Sequence, residues 1–100
     1  MSQVQIMAAY ENYERILSAY SGDLKKFVGE METLLGESET LVASLKQFWT
    51  GDSYDGFAKI SQTEFREIGG SLEVVRELSG IIDKKVPEIR RYIQQLKGEI

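Results

Sequence analysis

One hundred residues make a single small domain, and a lone helical hairpin of this size buries so little surface that a partner chain is expected. Cysteine and histidine are both absent, which removes disulfides, thiolate metal sites, cysteine nucleophiles and the commonest general base, so an enzyme is the poorest reading and no cofactor is expected. The net charge of -4 argues against nucleic acid as the main partner, because phosphate binding needs a concentrated basic surface.

The opening MSQVQIMAAYENYE lacks the basic region, apolar core and small-residue cleavage site of a secretory signal, so the chain is expected to be made and folded in the cytoplasm and, if it leaves the cell, to leave without a cleaved leader. No apolar run approaches membrane-spanning length, and no stable membrane insertion is expected. Ser2 and Gln5 have the spacing of a capping box, which predicts a first helix over about residues 3–49. Within it Tyr10, Tyr13, Leu17, Tyr20, Leu24, Phe27, Met31, Leu34, Ser38, Leu41, Leu45 and Phe48 alternate steps of three and four, a heptad seam with one polar member.

Two further rows lie beside that seam. Val28, Leu35, Val42 and Trp49 recur every seven residues, as do Gly22, Gly29, Gly36 and Ala43. A glycine inside a helix costs about 1 kcal/mol relative to alanine, so three in one register suggest either a close contact or a softened surface. Taken as a contact, they predict a dimer interface of Gly22, Val28, Gly29, Leu35, Gly36 and Val42, contributed by the first helix. Glu30, Glu32, Glu37 and Glu39 read as a solvated face, with no histidine beside them to complete a metal site.

Thr50-Gly51-Asp52 is the predicted turn at 50–52, Gly51 closing the first helix and Asp52 capping the second. Helix two is expected over about residues 53–97, with a seam of Phe57, Ser61, Phe65, Ile68, Leu72, Val75, Ser79, Ile82, Val86, Ile89, Ile93 and Leu96. Pro87 should break or kink it, since proline removes a hydrogen bond to the preceding turn. The basic cluster of Lys84, Lys85, Arg90, Arg91 and Lys97 reads as a complement to the helix dipole. The predicted fold is all-α, an antiparallel helix-turn-helix hairpin over residues 1–100 that pairs with a second hairpin.

The central stretch W-T-G-D-S-Y-D-G-F, Trp49 to Phe57, resembles the turn of the WXG100 family, the ESAT-6-like small proteins of bacterial type VII secretion systems. Trp49 and Gly51 match the motif, Ser53 and Phe57 stand where the family commonly has a small residue and an aromatic, and the resemblance covers the whole chain. It implies hairpins paired, usually antiparallel, into a four-helix bundle and exported folded by a membrane ATPase. Members act as secreted substrates, as effectors in virulence, or as companions of a partner substrate. The expected partner is a second identical chain, with another WXG100-like hairpin or the N-terminal helical hairpin of a larger toxin as the alternative. Family members with a C-terminal export signal often show Tyr, three residues, then Asp or Glu; here Tyr92 is followed at that spacing by Leu96, so the resemblance implies a variant signal of Trp49, Gly51 and Tyr92 or one supplied by a partner. The alternative within the resemblance is a cytoplasmic companion of a larger toxin, and on the residues alone a structural coiled-coil adaptor unrelated to secretion fits the periodicity equally well.

Overall fold

A computed structural model describes residues 2–99. Helix α1 spans Gln3–Ser44, a 3-10 turn Leu45–Gln47 follows, and helix α2 spans Asp52–Glu99, with no strand among the described residues. The two helices pack as a hairpin. Its α1 start is the predicted one: the Ser2 amide donates to Gln5 Oε1 at 2.9 Å and the Gln5 amide to Ser2 Oγ at 3.1 Å, the reciprocal pair of a capping box. Its α1 end comes five residues before the predicted limit, at Ser44 rather than Trp49, because the chain tightens through Leu45–Gln47 before the turn.

The hairpin comprises two compact units. One joins the described residues up to Lys26 to those from Arg76 onward, and its core holds Ile82, Val86, Ile93 and Leu96 against half-buried Tyr10, Leu17 and Leu24. The other, Phe27–Val75, contains the turn and buries Val28, Tyr54 and Leu72, with Met31, Leu35, Val42, Ala58 and Phe65 half-buried.

These cores correct the predicted α1 seam. Tyr10, Leu17, Leu24, Met31 and Ser38 turn inward as expected, but their companions are Glu14, Ser21, Val28, Leu35 and Val42. Tyr13, Tyr20, Phe27, Leu34 and Leu41 are left 48% to 66% exposed. Helix α1 carries three apolar rows, and one partner helix covers only two. The row left out is the one whose tyrosine hydroxyls would need a partner if buried, whereas the chosen row sets Ser21 against polar groups of α2. On α2 the predicted seam is largely the observed one, with Phe57 and Ile68 each 39% exposed.

Ser21 and Ser79 are almost fully buried in the first unit and bonded to each other, Oγ to Oγ at 2.9 Å. Ser21 Oγ also donates to Asp83 Oδ1 at 2.6 Å, and Lys25 Nζ reaches Asp83 Oδ2 at 2.6 Å. The Lys25 ammonium, and then the Ser21 hydroxyl, hold the Asp83 carboxyl below its ordinary value. A depressed carboxylate contributes stability above its unfolded value of about 3.9 and loses it as pH falls through the lower native value.

Of the break or kink expected at Pro87, the break does not occur, since α2 runs continuously over Asp52–Glu99. The proline ring is exposed, while Ile82 and Val86 on one side and Ile93 and Leu96 on the other are each 5% to 7% exposed. Packing on both sides therefore holds the helix through a residue that costs about 3 kcal/mol in a helix interior. Replacing Pro87 with alanine restores a donor to the Asp83 carbonyl, four residues earlier. The Pro87→Ala chain is expected to gain roughly 2–3 kcal/mol in urea unfolding, net of the entropy that proline removes from the unfolded chain.

Candidate functional site at the hairpin turn

The turn is built on Gly51, whose φ of 100° lies in the left-handed region that a side chain disfavours. Its carbonyl accepts from the Asp55 amide at 3.0 Å, so Gly51 itself holds the capping position predicted for Asp52, and Asp52 is the first residue of α2. Asp52 and Asp55 then place negative charge on the first turn of α2, where the helix dipole favours it. A Gly51→Ala chain should lose about 1–2 kcal/mol in a denaturant titration, since nothing lies near an added Cβ and the backbone alone resists it.

Trp49 leaves the 3-10 turn and folds over the start of α2. Its Nε1 donates to Ser53 Oγ at 2.9 Å, its ring lies 5.3 Å from that of Phe57 at a tilt of 35°, and it meets Tyr54 edge-on at 5.7 Å. Trp49, Gly51 and Phe57 are thus brought together, with Ser53 as the polar partner of the indole. Tyr54 is the residue that sequence reading passed over. It is 6% exposed, and its hydroxyl donates at 3.0 Å to the carbonyl of Val42. That carbonyl belongs to the last turn of α1, where helices run short of internal donors, so Tyr54 ties the end of one helix to the start of the other. Tyr54 lies seven residues before Ser61, and running the α2 seam back one heptad finds it.

Phe48 stands beside this cluster 86% exposed, and Trp49 keeps 37% of its surface. The pair presents apolar surface to solvent at the turn, with the one indole donor already committed to Ser53.

Tyr92 belongs to the other unit. It meets Tyr10 edge-on at 4.8 Å and borders a shallow groove with Tyr13, Leu17 and Lys85. The basic segment around it is partly paired: Arg90 Nε bonds Glu14 Oε1 at 2.7 Å and Lys85 Nζ bonds Glu88 Oε2 at 3.2 Å. Both arginine and lysine are mostly exposed, so each pair contributes about 0–1 kcal/mol.

Of the residues predicted for a dimer surface, Val28, Leu35 and Val42 turn toward α2, while Gly22, Gly29 and Gly36 stay exposed. Val28 is 4% exposed, and half-buried Leu35 and Val42 line the groove between the arms with Tyr54, Ala58 and Phe65, so all three face α2. They were misplaced because the α1 seam is rotated by one row from the predicted one. Gly22, Gly29 and Gly36 face open space, with no atom within 4 Å of an added Cβ, so no close approach inside the hairpin requires them. The row that stands free is Tyr13, Tyr20, Phe27, Leu34 and Leu41, again seven residues apart.

Among the described residues no helix is long and apolar enough to cross a membrane, and no three histidine, cysteine, aspartate or glutamate side chains gather as a metal site. Compared with protein-family models, curated proteins and solved structures, the chain matches none.

Proposed function

We propose that this chain is a WXG100-like protein of a type VII secretion system, exported by that system and acting by helical protein-protein contact rather than by catalysis. The observation that carries the reading is the turn. Trp49 and Gly51 have separate physical jobs there, the glycine supplying a positive φ and the tryptophan an apolar surface seated on Ser53 and Phe57. A generic helical adaptor needs the first but has no use for a partly exposed indole beside a Phe48 that is 86% exposed.

The partner in this reading is a second copy, packed antiparallel on the free α1 row, which makes a four-helix bundle. The secretion ATPase is the second partner, recognising Trp49 at the turn together with Tyr92, which acts without the family's following acid. Trp49→Ala tests the export role. The variant should keep its helical circular dichroism, remain in the cytoplasm of the native host and disappear from the culture supernatant. Normal secretion of a folded Trp49→Ala chain contradicts the role.

A further inference from the structure

Both helices keep a heptad rhythm over most of their length, and a heptad seam has a weakness that the apolar residues cannot cure. Sliding one helix past the other by seven residues restores apolar opposite apolar, so such a seam alone leaves the register degenerate. In the first unit the degeneracy is broken by polar groups at buried positions. Ser21 and Ser79 are 2% and 3% exposed and face each other across the seam. A slip of seven residues sets Ser21 against the α2 position of Val86 or Leu72, and sets Ser79 against that of Val28 or Glu14. Each apolar match leaves a buried hydroxyl without its partner, a penalty the native register avoids.

We infer that Ser21, Ser79, Asp83 and Lys25 form a register lock, a polar clasp that specifies one alignment of α1 on α2 among several the apolar seam allows. The geometry has an inner and an outer half. Inside, Ser21 Oγ bonds Ser79 Oγ and lies 3.4 Å from the Ser79 carbonyl. Outside, Asp83 receives Ser21 through one carboxylate oxygen and Lys25 through the other, both at 2.6 Å. Asp83 thereby ties the buried hydroxyls to a surface charge pair, and no hydroxyl or carboxylate of the cluster is left without a bond. A buried polar group that fixes alignment is the best-attested use of such groups in helical seams. The lock works on specificity, so its removal changes which registers are populated rather than how much helix forms.

The absence of native cysteine makes the test direct. Gln3 Nε2 and Glu99 Oε2 lie 3.1 Å apart, so the pair Gln3→Cys, Glu99→Cys reports the native register. The pairs Gln3→Cys, Tyr92→Cys and Tyr10→Cys, Glu99→Cys report slips of seven residues in the two directions. With the lock intact, oxidation of dilute protein should give intramolecular disulfide in the first pair and only background in the other two. With Ser21→Val and Ser79→Val added, the slipped pairs should rise at least tenfold over that background while circular dichroism stays helical. Slipped yields that stay at background in a helical double-valine chain overturn the lock. Should the double-valine core fail to fold, Lys25→Ala with Asp83→Ala removes only the outer half at exposed positions. A several-fold rise in slipped product is expected there, and its absence equally overturns the inference.

Discussion

Leu72→Ala is expected to lower the stability of the hairpin by about 2–5 kcal/mol, while Leu34→Ala, the same chemical change on the opposite arm, should move it by less than about 0.5 kcal/mol in the isolated chain. The sequence pattern predicts equal losses, because both leucines fall on apparent seam positions. The fold separates them: Leu72 is 4% exposed and Leu34 is 55% exposed. Truncating Leu72 removes three carbons from a packed core and leaves a cavity whose lining relaxes only partly. Truncating Leu34 removes a side chain that the hairpin leaves more than half in water. Urea unfolding at low protein concentration reads the two directly. A loss of similar size for both would mean that α1 turns a different face to α2. Repeating the titration at rising concentration adds a second reading, since a side chain used between copies stabilises only by mass action and its loss grows with concentration.

The second large effect concerns that free row. Phe27→Glu combined with Leu34→Glu should abolish self-association while leaving the monomer folded, because both side chains are about half exposed in the hairpin and a carboxylate there remains in water. In a dimer packed on this row the same carboxylates are taken out of water without a partner. A buried unpaired charge costs roughly 3–5 kcal/mol, so one such residue alone weakens association by more than about a hundredfold. Sedimentation equilibrium of the native chain should return twice its 11.4 kDa mass, and that of the double variant the single mass. A native chain that is monomeric, or a double variant that still pairs, removes the row as the contact between copies.

Much of this molecule was legible in its sequence, and the parts that were not share a cause. Local signals held: Ser2 and Gln5 cap α1, and Gly51 makes the turn with positive φ. The α2 seam from Leu72 onward was legible because its apolar row runs on through Leu96, whereas the competing set Val74, Leu78 and Ile81 is short and stays 42% to 64% exposed. The α1 seam was ambiguous, since three apolar rows satisfy the same steps of three and four, and only the partner helix decides which two are covered. That decision rests on pairings such as Ser21 with Ser79, which lie 58 residues apart and leave no local trace. Tyr54 was missed for a related reason: its ring is buried within its own unit, but its bond to the Val42 carbonyl depends on where α1 stops. Pro87 misled in the opposite direction. Its local preference for a break is real, and the buried residues on either side of it outweigh that preference.

The proposed dimer, the turn and the proposed Tyr92 signal all serve one claim, that the chain is a cargo or companion of the type VII machine. Its most direct test is the amount of native chain in the culture supernatant of the native host with and without the secretion ATPase, normalised to the amount in the cells. The account predicts that the chain is present outside wild-type cells, and that deleting the ATPase removes it from the supernatant while the cytoplasmic pool persists. Equal extracellular amounts in the two strains, or a chain found only in the cytoplasm of both, would contradict it.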